Sequence, residues 1–293
     1  MSKYLFVALQ YLLPQVFLSR LIGSIARSEL AWIRRPLIGG FMDGFKPDLR
    51  DAVQPNPLAY PSFNAFFTRA LRADARPQAT DLRAITSPVD GQISALGSIE
   101  AGQLVQAKGH TFTLRALLAS NDALVAGLSD GLFMTIYLAP FNYHRIHMAL
   151  AGQLTSARYV PGRLFSVNHA TASMVPGLFA RNERVILEFA GVLGPYALVM
   201  VGALFVGSMG TVWHGDIPPQ RRRRHGSGYL PLPLPLDPPH HPAALVRGAE
   251  LGRFNMGSTV ILLLPPHTCA WDPALQPGTA LRVGQAIGSL ALQ

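Results

Sequence analysis

Beyond about residue 84 the chain is cut into short runs of branched and aliphatic residues separated by glycine and proline, and this pattern limits its possible folds more tightly than any motif. The runs at residues 131–138, 184–189, 196–206 and 259–264 have the length of strands rather than of helices. They predict an α+β chain with a mostly antiparallel β core, and helical patches at residues 64–72 and 114–118. Composition supports a folded chain, since 49% of the residues are hydrophobic and 14% charged. A length of 293 residues is enough for a sizeable core.

The first part of the chain has a different texture. Residues 4–18 are apolar but interrupted by Gln10, Pro14 and Gln15. A spanning helix needs about 20 apolar residues, so this run is too short. Arg20 stands where a small-residue cleavage site would end a secretory signal. Leu21, Ile22, Ile25, Leu30, Trp32 and Ile33 then alternate with Arg20, Arg27, Arg34 and Arg35, a mixture suited to helices lying in a membrane interface. An amphipathic helix packed on its own core carries the same pattern. Prolines 47, 55, 57 and 61 mark a linker, so the expected organisation is membrane-associating helices and linker over 1–60 and a β-rich core over 61–293.

The formal charge is +9, and 22 of the 25 basic residues are arginine. An anionic partner is expected, phospholipid or nucleic acid, and composition does not choose between them. The single cysteine, Cys269, forms no internal disulfide, and no Cys/His spacing resembles a zinc site, so no metal is expected. Residues 218–243, with arginines 221–224 followed by a proline-rich stretch, read as an exposed extended loop.

Three clusters carry groups able to do chemistry: PVDG at 88–91, YHRIHM at 143–148 and GRFNMGST at 252–259. Together they supply a carboxylate, Asp90, two imidazoles, His144 and His147, and a hydroxyl, Ser258. The apolar run after Ser258 gives that serine a rigid mount. Gly257 has no Cβ, which leaves its carbonyl open to close approach. The histidines are three apart and at a strand or strand end, so they take separate roles. A serine hydrolase built on Asp90, His147 and Ser258 is one reading, although no Gly-x-Ser-x-Gly elbow surrounds Ser258. A basic adaptor that binds membrane or RNA through Arg221–Arg224 is another, and it leaves the paired histidines unused.

Longer segments resemble the phosphatidylserine decarboxylases that make their own pyruvoyl cofactor. They are FNAFFTRAL (63–71), SPVDGQI (87–93), QAKG (106–109), YLAPFNYHRIHM (137–148), VPGLFARNERV (175–185), VGALFVGSM (201–209) and GAELGRFNMGSTVI (248–261). The resemblance implies that Asp90 orients His147, that His147 takes the proton of Ser258, and that Ser258 attacks the Gly257 carbonyl. Elimination from the resulting ester leaves a dehydroalanine, which becomes a pyruvoyl group with loss of ammonia. The products are a large chain, 1–257, and a small chain of 36 residues, 258–293. The pyruvoyl group forms a Schiff base with phosphatidylserine and acts as an electron sink for decarboxylation to phosphatidylethanolamine. His144 lies near the headgroup in this picture, and Phe66, Phe67, Phe141 and Phe165 are candidates for an apolar pocket. The resemblance also implies a homodimer on the cytoplasmic face of the cell membrane, with anionic lipid and not nucleic acid as partner. Ala149, Phe141, Asn142 and Met256 depart from the residues frequent in that family, and none removes Gly257 or Ser258.

Overall fold

The computed structural model describes residues 3–107, 109–119, 122–192, 194–204, 208–220, 228–237, 241–256 and 258–291. Seven strands frame the site: β1 (Leu132–Tyr137), β2 (Arg145–His147), β3 (Gly152–Val160), β4 (Arg184–Gly191), β5 (Gly194–Val201), β6 (Glu250–Phe254) and β7 (Thr259–Leu264). All six residues of β7 are buried, which explains a sequence, TVILLL, that is apolar without alternation. β7 lies between β5 and β1 inside a nine-stranded antiparallel sheet. Its order is 230–231, β3, β4, β5, β7, β1, 91–98 and 280–281, and residues 244–245 also pair with β3. A four-stranded antiparallel sheet has the order 215–217, 209–211, β6, β2. The α+β class with a largely antiparallel core is therefore as the sequence predicts.

Several boundaries differ from expectation. The run at 196–206 begins its strand at Gly194 and ends it at Val201, because β4 and β5 form a tight hairpin closed by the pair Gly191 and Gly194. Residues 205 and 206 of that run lie outside the described residues. The helix expected over 64–72 covers only Phe63–Phe67. Thr68 ends it by donating its hydroxyl to the Asn64 carbonyl, and the chain then extends so that Leu71 bridges Ala52. The helix at Leu114–Leu118 forms where expected, with Thr113 Oγ1 accepting from the Ala116 N–H at its start. Part of the described 218–243 segment joins the large sheet as a short edge strand. Leu230 and Pro231 pair with Tyr159 and Arg158, and Leu232 N donates to Ala157 O. Proline is tolerated there because an edge strand has an unpaired side. Arginines 221–224 lie outside the described residues.

The amino-terminal helices are α1 (Lys3–Leu12), α2 (Gln15–Ala26) and α3 (Ala31–Phe45), followed by α4 (Phe63–Phe67). No single helix among the described residues is long and apolar enough to cross a membrane, and α1 and α2, which together carry that apolar length, are bent by 91° at their junction. The two glutamines that interrupt the apolar run are anchors. Gln10 and Gln15 are buried, and their side-chain oxygens accept from the backbone of Ser166 and Leu164. α3 packs on α4 through Phe41, whose ring lies 5.4–5.8 Å from Phe63, Phe66 and Phe67. These rings form a small second core with Ala26, Ile38 and Tyr60, and Met256 packs against it.

Candidate active site

β1 pairs with β7 in the large sheet, and β2 pairs with β6 in the small one. The β1–β2 and β6–β7 connections therefore both cross between the sheets. The two crossings run side by side. At one end Leu138 N donates to Ser258 O at 2.8 Å, and at the other Phe254 N donates to His144 O at 3.0 Å. Ser258 and His144 sit in this paired crossing, at the ends of strands whose pairing fixes the backbone.

Ser258 is fully buried, and its Oγ has no hydrogen-bond partner among the described residues. The same holds for Nε2 of His144. Orphan buried polar atoms are uncommon in folded proteins and require a reason. The other ring nitrogen of His144, Nδ1, lies 2.9 Å from the Asn142 carbonyl. A carbonyl only accepts, so Nδ1 carries the proton and a neutral ring leaves a lone pair on Nε2. Burial keeps the ring neutral, pushing its pKa down to about 3, and the positive charge of Arg69 acts in the same direction. Phe67 covers the imidazole at 4.2 Å between ring centroids. Of the four phenylalanines suggested for an apolar pocket, Phe66, Phe67 and Phe165 are buried and Phe141 is exposed. Asn142 closes the crossing through its side chain, which accepts from Ala139 N at 2.8 Å.

His147 is engaged at both nitrogens. Nδ1 donates to the Gly248 carbonyl at 2.8 Å, and Nε2 accepts from the Tyr143 hydroxyl at 3.1 Å. Gly248 has φ of 83°, a conformation that favours glycine, and a Cβ there would stand 2.7 Å from the Gln78 side chain. Burial lowers the pKa of His147, opposed by the bond to Gly248 and by nearby acidic charge, including that of Asp90. Asp90 lies close by in the chain path, since His147 N donates to Pro88 O at 2.8 Å. Its carboxylate is nevertheless held by Arg76, whose Nε and Nη2 donate to it at 2.5–3.1 Å, and by Val283 N at 2.9 Å. No hydrogen bond joins Asp90 to His147, or either histidine to Ser258, among the described residues. Gly257 lies outside the described residues.

Arg76, Tyr143 and Gly248 were not singled out by residue chemistry. Arg76 lies within a loop and has no motif of its own. Tyr143 sits inside the quoted YHRIHM cluster, four residues before His147, but only the strand end after it turns its hydroxyl to that ring.

A family profile described as phosphatidylserine decarboxylase matches residues 63–289, and a second, described as PSD, matches residues 5–46. The phosphatidylserine decarboxylase proenzyme of Alcanivorax borkumensis is 47% identical over 286 residues, covering 97% of this chain and 96% of that protein. The proenzyme of Azotobacter vinelandii is 47% identical over 292 residues and the full length of both chains. That of Shewanella frigidimarina is 45% identical over 288 residues, 98% of each.

Proposed function

The chain belongs to the phosphatidylserine decarboxylase family, and from that membership we propose that it converts phosphatidylserine to phosphatidylethanolamine with a pyruvoyl group made from its own Ser258. The observation that carries the self-cleavage reading is the pair of orphaned buried groups, Ser258 Oγ and His144 Nε2, in adjacent crossings. A serine hydroxyl with no partner is free to attack the carbonyl of the preceding residue, and a free imidazole lone pair is available to take its proton. With Tyr143 on Nε2 of His147, His144 is the open base in this conformation. His147 takes that role, as the resemblance implies, only once Tyr143 releases it. Attack by Oγ on the Gly257 carbonyl exchanges an amide for an ester, and loss of the Cα proton of residue 258 then expels the Gly257 carboxylate. The pyruvoyl group left at residue 258 supplies a ketone that condenses with the substrate amine and draws electrons from the bond that breaks. The apolar cover of Phe67 excludes water from the imidazole side.

The lipid substrate gives the amino-terminal helices their role. Leu12, Phe17 and Trp32 are exposed on α1, α2 and α3, and Arg35 lies on the same helix as Trp32. We place this surface on an anionic bilayer at the cytoplasmic face of the cell membrane. Intact mass of the denatured protein tests the self-cleavage reading. The expected result is two chains, the smaller of 36 residues beginning at position 258 and bearing a pyruvoyl mass, while the Ser258→Ala chain stays whole. A wild-type chain that stays full length after incubation at neutral pH overturns it.

A further inference from the structure

Residue 258 belongs to a row that crosses four strands. Leu138 N donates to Ser258 O at 2.8 Å and Gly202 N donates to Glu183 O at 2.9 Å. The first bond extends the pair Tyr137 with Thr259 by one residue and the second extends Val201 with Arg184, while the register of Thr259 with Val201, continued by one residue, sets Ser258 opposite Gly202. The row therefore reads Leu138, Ser258, Gly202, Glu183. Side chains in one row of a sheet leave from the same face, so Glu183 and Ser258 face the same side with Gly202 between them. A Cβ at Gly202 would stand 2.8 Å from both Cγ and Oε1 of Glu183. The carboxyl thus fills the space where a side chain at 202 would be. Facing Cβ atoms on neighbouring strands are roughly 4.5–5.5 Å apart, so the carboxyl over Gly202 lies one strand spacing from the Ser258 side chain, with no hydrogen bond joining Oε1 to Oγ.

The hydrogen bonds of Glu183 are asymmetric. Oε2 accepts from the Tyr159 hydroxyl at 2.7 Å, and that hydroxyl oxygen accepts from Gln220 N at 2.9 Å. Oε1 is buried without a partner, and Glu183 makes no ion pair among the described residues. With Oε2 accepting, the proton of the neutral acid resides on Oε1, the oxygen beside Gly202. Burial pushes the carboxyl up to about 7, against the Tyr159 hydrogen bond and the charge of Arg20, the titratable groups that face it from β3 and α2.

We propose that Glu183 is the acid of maturation, and that, given the self-cleavage reading above, its Oε1 proton is delivered to Cβ of residue 258 after chain scission. Scission leaves a dehydroalanine with a free amine. The carbon–carbon double bond takes the Oε1 proton at Cβ, the nitrogen lone pair closes the iminium, and Glu183 is left as carboxylate. Water adds to the iminium carbon, ammonia departs, and the proton released in that hydrolysis returns to Glu183. One water is consumed and one ammonia formed, and the methyl group of the pyruvoyl gains its third hydrogen from the acid on its own face of the sheet.

The test follows two quantities in chain made by cell-free synthesis and captured before scission: chain splitting by denaturing gel and ammonia release by a coupled assay. In wild type, ammonia release after splitting is expected to slow about tenfold between pH 6 and pH 8 as Glu183 loses its proton. Glu183→Gln is expected to split within about twofold of the wild-type rate but to release ammonia at least tenfold later, with no pH dependence across this range. Its small chain is then about 1 Da lighter than the pyruvoyl form. Glu183→Asp, one methylene shorter, is a second variant should the glutamine chain fail to fold, and it should show the lag with the pH dependence retained. Ammonia release in step with splitting in either folded variant overturns the role of Glu183. A role confined to packing slows splitting itself and leaves no lag. If wild type neither splits nor releases ammonia, the self-cleavage reading fails first, and the two failures are distinct.

Discussion

Replacing Arg76 by Met strands the Asp90 carboxylate. That carboxylate is 8% exposed and loses the donors Nε and Nη2 of Arg76, keeping only Val283 N at 2.9 Å. Removing one partner of a buried ion pair costs about 3–5 kcal/mol, since the other charge remains without water or counter-charge. The surviving backbone donor puts this case near the lower end. Asp51, the second carboxylate on Arg76, is 26% exposed, so its lost pairing adds less than about 1 kcal/mol. A loss of about 3 kcal/mol is expected, read as a shift of the urea midpoint at constant slope, in a Ser258→Ala background that keeps one chain. Asp90→Asn added to Arg76→Met should recover about 1–2 kcal/mol, because it removes the stranded charge. A loss below about 1 kcal/mol, or no recovery in the double variant, would refute the assignment of Asp90 to Arg76 and return it to His147.

Two further outcomes follow from burial. His144 is neutral in the folded chain, with its pKa lowered from 6.5 to about 3, so the unfolded chain binds the extra proton between those values. Its contribution is complete above pH 6.5 and is lost as pH falls toward 3, at about 1.4 kcal/mol per unit, and the stability difference between wild type and His144→Gln should shrink by that amount in urea titrations. The Glu183 contribution has the opposite sign, complete below pH 4.5 and lost as pH rises toward 7, so the Glu183→Gln difference must slope the other way. A parallel slope for both variants contradicts the assigned burial. Phe67→Ala removes a fully buried ring shared by the small core and His144, and should cost about 3–5 kcal/mol in thermal unfolding while slowing chain scission. Unchanged scission in the folded variant would show that the ring does not position the imidazole.

The strands were legible because a buried strand needs an uninterrupted apolar run, and 259–264 supplies one with boundaries that survive intact. The hydroxyl and both histidines were legible as residue types at strand ends. What the sequence could not contain is which sheet each strand joins. Pairing β1 with β7 and β2 with β6 is a long-range choice, and it alone sets Ser258 and His144 in side-by-side crossings. Asp90 goes to Arg76 and His147 to Tyr143, partners selected by proximity in the folded chain and by the cost of leaving buried polar groups unpaired. Gln10 and Gln15 appear in sequence as flaws in an apolar segment and become anchors only when the backbone at 164–166 is brought beneath them. Glu183 is invisible in the same way. The sequence by itself determined the strands and the placing of a hydroxyl and two imidazoles at their ends, since these rest on local chemistry. Only the tertiary structure put a glycine between a serine and a buried acid, because a row across a sheet joins residues that are distant along the chain.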